Sequence, residues 1–125
     1  MVTEAEVHNK AVDWFEGKGL RVLGFGEPQC ELDYDRIPYR PDFFVMPRYA
    51  KKKVIAIEVK GSNFGLWGLL GQLLAYSLYY PAVCVAIPDS EVAKLKEIRT
   101  KIRRKAFGCF DFKILSIGKN KIRQL

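Results

Sequence analysis

Two acids and a lysine stand in otherwise apolar runs. One run reads Pro41-Asp42-Phe43-Phe44-Val45-Met46, and the other, beyond a basic loop, reads Val54-Ile55-Ala56-Ile57-Glu58-Val59-Lys60. Strand side chains alternate between faces. Asp42, Phe44 and Met46 therefore share one face, as do Val54, Ala56, Glu58 and Lys60. An antiparallel hairpin that sets Met46 against Val54 also sets Phe44 against Ala56 and Asp42 against Glu58. Directly opposed side chains stand about 5 Å apart, and two like charges there destabilise the pair unless something positive lies between them. A divalent cation is the economical answer. Lys60, about 6.5 Å further along the same face, adds a second positive group.

Pro41-Asp42 followed at a distance by Glu58-x-Lys60 resembles the catalytic core of the PD-(D/E)xK nuclease superfamily. The resemblance implies a metal-dependent deoxyribonuclease leaving 5′-phosphates. Asp42 and Glu58 would hold Mg2+, for which Mn2+ can substitute, with the backbone carbonyl of Val59 as third protein ligand. A hard cation polarises a phosphodiester oxygen and makes a bound water more acidic. Lys60 would orient the attacking water and stabilise charge building on the phosphoryl oxygens.

Gln72 and Tyr76 are four apart on an expected helix and share a face. This Q-x-x-x-Y resembles the auxiliary motif of RecB-type and Cas4-type members, which implies that Gln72 contacts the hydrolytic water or the substrate and that Tyr76 lies near DNA. The alternative for Tyr76 is a place in the core. On the first helix the resemblance implies one further ligand, either His8, as in RecB-like nucleases, or Glu4, as in archaeal Holliday junction resolvases. Both stay open.

The elements that must position these residues are legible from pattern. Thr3 with Glu6 has capping-box spacing, and an apolar stripe through Val7, Ala11 and Phe15 predicts a helix up to Gly17. A strand over Leu20–Phe25 follows, then a polar loop over 29–40 holding Glu31, Asp33 and Asp35, read as a solvated connector. After the hairpin and the break at Gly61-Ser62-Asn63, a helix is expected over Leu66–Tyr80. A strand over Ala82–Ile87, a third helix over Glu91–Lys105, a strand over Cys109–Ile117 and a basic tail complete the chain. This succession predicts an α/β protein with a mixed central sheet flanked by helices. It matches the αβββαβ core of the restriction-endonuclease-like fold over roughly residues 3–87, with a C-terminal helix and strand added.

At 125 residues, 49% of them hydrophobic, the chain fits a single domain spanning 1–125. A net charge of +7 calls for a polyanionic partner, nucleic acid or an acidic membrane surface. DNA fits the acid–lysine constellation. Lys51, Lys52 and Lys53 at the hairpin tip and Arg99, Arg103 and Arg104 on the third helix are the expected phosphate contacts, which raise affinity without reading bases.

Three scattered cysteines, Cys30, Cys84 and Cys109, read as reduced thiols and cannot supply the four ligands of a Cas4 iron–sulfur cluster. With no apolar leader after Met1, a cytoplasmic location is expected. Phe64–Ile87 carries no charge. Pro81 interrupts the run, and its helical part reaches only about 22 Å, short of the roughly 30 Å hydrocarbon core, so no membrane span is expected. An apolar helix of this kind also suits self-association as a homodimer. The expectation is an Mg2+-dependent endonuclease of DNA repair, recombination or defence. A RecB/Cas4-like exonuclease and a non-catalytic DNA-binding or dimerisation module are the alternatives.

Overall fold

The structure is a computed structural model that describes residues 2–24, 40–49, 54–105 and 110–125. Its first helix, α1 (Glu4–Gly17), starts where the capping pattern predicts. Thr3 is the N-cap, and its hydroxyl accepts from the Glu6 N–H at 3.2 Å. Glu4 and Glu6 in the first turn complement the positive end of the helix dipole. Val7, Ala11 and Phe15 form the buried stripe.

Six strands follow the chain order across one sheet: β1 (Leu20–Leu23), β2 (Phe43–Pro47), β3 (Ile55–Val59), β4 (Ala82–Pro88), β5 (Lys113–Ile117) and β6 (Ile122–Gln124). The β1–β2, β2–β3 and β5–β6 pairs are antiparallel, whereas β3–β4 and β4–β5 are parallel. The parallel pairs need crossovers, which α2 (Leu66–Ser77) and α3 (Val92–Lys105) supply. Crossovers of one hand between adjacent strands lie on one face. Accordingly Leu69, Leu73 and Tyr76 of α2 and Leu95 of α3 share a core with Phe44, Ala56 and Val85. On the other face α1 packs Val7, Ala11 and Phe15 on Phe43, Val45 and Ile57. The architecture is a mixed α/β sheet between helical layers. No helix among the described residues is long and apolar enough to cross a membrane.

Three boundaries differ from expectation. The second helix stops at Ser77 because the chain tightens there: the N–H of Leu78 reaches back to the Ala75 carbonyl at 3.2 Å and that of Tyr79 to the Tyr76 carbonyl at 3.0 Å. Pro81, just beyond, disfavours helical geometry in the residue before it. The fifth strand starts only at Lys113, while Asp111 bonds Arg103. The expected basic tail is instead β6, with Ser116 paired to Arg123. Three residues at an edge are too few to show a period. The acidic loop of Glu31, Asp33 and Asp35 lies outside the described residues, as do Lys51, Lys52, Lys53, Cys30 and Cys109.

Candidate metal and phosphodiester site

The β2–β3 register is the expected one. Phe43 pairs with Ile57, Phe44 with Ala56 and Val45 with Ile55. One step beyond the ladder Asp42 and Glu58 come together at the edge of the face covered by α2. The Asp42 backbone N–H donates to the Ile57 carbonyl at 3.0 Å, and its Oδ2 accepts from the Val59 N–H at 2.7 Å. The Asp42 carboxylate thus takes an amide that a longer β2 would have bonded.

Pro41 explains why β2 cannot continue. It has no N–H to give a ladder. The N–H and C=O of a strand residue point to the same side, and the Val59 N–H meets the Asp42 carboxylate, so the Val59 carbonyl lies on the Asp42 side of β3 as well, where a coordinating role for it would require it to be.

Glu58 is only 3% exposed. Its carboxyl is pushed up to about 8, chiefly by burial, then by the hydrogen bond and charge of Asp42; the Tyr76 hydroxyl and the Lys60 charge pull the other way. The Tyr76 hydroxyl donates to Glu58 Oε1 at 2.9 Å. At neutral pH the acid pair therefore retains a proton that a cation would displace.

Tyr76 is wholly buried, so it has no surface to offer DNA, and the core alternative is the one realised, with its hydroxyl on the site. The phenol is held well above its usual range by burial and by Glu58, so it remains a donor. Gln72 is half-buried one turn earlier on α2, and it is not among the groups bonded to Glu58.

Lys60 is half-buried at the end of β3 and lines an open cleft of about 400 Å³ with Thr3, Glu4, Gly61, Ser62, Phe64 and Gly65. The cleft exists because the chain start is tied to the end of β3. Ser62 N–H donates to the Val2 carbonyl at 3.0 Å, and Val2 N–H to Ser62 Oγ at 3.2 Å. A Cβ on Gly61 would lie 2.7 Å from the Glu4 nitrogen, so only glycine fits there. This clamp sets Glu4 in the cleft beside Lys60. His8 lies one turn on, half-buried, with its ring edge-on to Phe43 at 5.1 Å on the α1 face of the sheet. Of the two first-helix candidates, Glu4 shares the cleft. Neither Pro41 nor Gly61 was singled out from the sequence for these roles, although the glycine directly after Glu58-Val59-Lys60 was a signal of close backbone approach.

Among the described residues no three His, Cys, Asp or Glu side chains converge as a metal cage. The donor set is two carboxylates and a peptide carbonyl, all hard oxygens. It fits a divalent cation such as Mg2+, which keeps several waters and needs only one or two protein carboxylates. It does not fit a soft metal. Cys84 is buried and its thiol is pushed up to about 12 by burial, which leaves it inert.

The basic residues divide. Arg99 is 7% exposed and donates to the carbonyls of Phe112 at 3.2 Å and Leu125 at 3.1 Å, so it fastens the C-terminal strands instead of facing phosphates. Arg103 is forked onto Asp111 at 3.0 Å through both nitrogens. Arg104 is exposed on the same helix, and Arg48 is exposed beside the hairpin turn. Compared with protein-family models, curated proteins and solved structures, the chain matches none.

Proposed function

We propose that this protein is an Mg2+-dependent nuclease that hydrolyses DNA phosphodiester bonds, acting as an endonuclease. The observation that carries the reading is the β2–β3 pairing: it joins Asp42 to a buried Glu58, hydrogen-bonds the Asp42 carboxylate to the Val59 N–H, and has the Lys60 charge acting on the same acid. A structural role does not account for a buried acid held against a second, exposed one with a lysine nearby.

Asp42, Glu58 and the Val59 carbonyl would hold the cation. When bound, it would supply charge to polarise a phosphoryl oxygen and acidify the attacking water. Lys60, at the mouth of the cleft, orients that water and stabilises charge on the phosphoryl oxygens. Tyr76 fixes the Glu58 carboxylate through its 2.9 Å bond. Gln72 is the further substrate or water contact. Glu4 shares the cleft with Lys60 and would be the first-helix acid nearest to it. Arg48 and Arg104, with Lys51, Lys52 and Lys53, attract the DNA backbone, and the +7 balance speeds encounter with it. The αβββαβ succession of the restriction-endonuclease-like core, a location in the cytoplasm and a place in repair, recombination or defence all accord with this reading.

The test is incubation with linear, circular, single-stranded and branched DNA, with Mg2+, Mn2+ or chelator. Cleavage of circular DNA that needs the metal and is lost in Asp42→Ala is the expected result. Cutting of linear ends alone would assign the site to an exonuclease. Metal-independent DNA binding with no cleavage of any substrate would leave a non-catalytic module.

A further inference from the structure

The side of α2 turned away from the core presents large apolar groups to solvent. Trp67 is 74% exposed, Leu74 48% and Leu78 74%, with Tyr79 beside them at 38%. Trp67, Gly71, Leu74 and Leu78 recur at intervals of four, three and four, so they form one stripe along the helix. Leu78 keeps helical geometry as the C-cap, which carries the stripe to its end. No charged residue occurs anywhere from Phe64 to Ile87 on a chain of net charge +7.

We propose that this stripe is the contact between two copies of the chain, joined by antiparallel packing of α2 on α2 about a two-fold axis. A two-fold interface must be self-complementary: whatever a residue meets must meet it in return. The stripe satisfies this in one register. About an axis midway along it, Trp67 meets the partner's Leu78, and Gly71 meets the partner's Leu74. A Cβ built on Gly71 meets nothing within 4 Å, so the surface there is open and a leucine of the partner could approach the helix backbone. Small opposite large at the centre and large opposite large at the ends is the arrangement that lets two helices approach closely.

Charge and area favour a second copy over other occupants. Two molecules that each carry +7 repel one another over most of their surface, and the neutral face of α2 is where they approach at least cost. A nucleic acid would be drawn to the cations elsewhere. The exposed parts of the four side chains amount to roughly 500 Å² per copy, or about 1,000 Å² for the pair, which is the lower limit for a specific interface. The dimer is therefore weak, with a dissociation constant in the micromolar range.

Sedimentation equilibrium between about 1 and about 300 µM brackets such an affinity. The average mass of the wild-type chain should rise from 14.3 kDa towards twice that value. Trp67→Lys and Leu78→Glu, both at exposed positions that leave the fold intact by circular dichroism, should each remain monomeric throughout. The W67K/L78E double variant should associate more than either single variant alone, because each lysine then meets the partner's glutamate, although the lost apolar area keeps it weaker than wild type. A wild-type chain that stays monomeric, a dimer indifferent to both single substitutions, or a double variant no more associated than the single variants at the highest concentration overturns the proposal. So does a monomer that binds neutral phosphatidylcholine vesicles through Trp67, which would assign the face to lipid. None of these outcomes depends on whether the chain cleaves DNA.

Discussion

Two charged side chains are buried among the described residues, and they are buried differently. Arg99, 7% exposed, places one guanidinium nitrogen on two backbone carbonyls and lies 5.9 Å from the Phe112 ring. Glu58, 3% exposed, has a phenol and another acid for company. Burying an ion is tolerable when its partners complete it. Arg99 is completed by the fold, which uses it to hold the C-terminal strands. Glu58 is held instead as a carboxyl with a raised affinity for its proton, and on the proposed function a cation from outside would take that proton's place. On that reading the contrast separates a buried charge that serves stability from one that serves binding.

The sharpest break of that comparison is chemical. Asp42→Asn keeps the size of the side chain and removes the anion that holds a cation. It should lower Mg2+-dependent DNA cleavage by about a thousandfold, on the scale of losing one preorganised electrostatic contact. Its melting temperature should change little, since the amide oxygen can still accept from the Val59 N–H. Cleavage by the Asp42→Asn variant at the wild-type rate would remove Asp42 from the site.

The next effect is on stability against pH. A carboxyl raised from 4.5 to about 8 binds its proton more tightly in the folded chain than in the unfolded one. Between those values the folded state holds more protons, so apoprotein stability is greatest below the window and falls as pH rises through it. The loss should reach a few kcal/mol, and Glu58→Gln should flatten it. Because Mg2+ displaces the same proton, its stabilising effect should be larger at pH 8 than at pH 6. Thermal melts with and without Mg2+ across this range check both signs.

Arg99→Met should cost about 1–3 kcal/mol, because the Phe112 carbonyl loses its donor inside the core, while the Leu125 oxygen keeps the Ile114 N–H. Cleavage per folded molecule should be unchanged. Urea titration gives the first quantity and specific activity the second. A loss of activity beyond the loss of folded protein would place Arg99 in the DNA-binding surface after all.

The same contrast explains what the amino-acid sequence could reveal. The hairpin register was readable because alternation leaves only one pairing that buries Phe44 and Ala56 together, and that pairing carries Asp42 to Glu58. The capping of α1 by Thr3 was readable because it is local. Arg99 was not: on a helix with Lys96, Lys101, Arg103 and Arg104 it looks like one more solvated cation. Its burial depends on where a chain end some 26 residues later returns. The Gly61 clamp on Val2 and Glu4 spans the sequence in the same way and carries no local period. Tyr76 stood between two readings because a four-residue spacing fixes a helix face without saying what the face meets.

Tyr76 also gives the finest test of the comparison. Its hydroxyl gives Glu58 a hydrogen bond but no charge, so it orients the carboxylate without neutralising it. Tyr76→Phe keeps the ring that packs against the core and deletes only that bond. The fold should lose about 1 kcal/mol. The site should lose more: removal of a group that orients a ligand typically weakens metal affinity about 10-fold or more. Mn2+ titration monitored by electron paramagnetic resonance should therefore show the affinity drop while the melting temperature barely moves, and saturating metal should restore most of the cleavage rate. Were Tyr76 only a core residue, both readouts would follow stability alone, as they should for Arg99→Met. Rescue by metal is expected of Tyr76→Phe and not of the arginine variant, because only the first leaves a site that a cation can still complete.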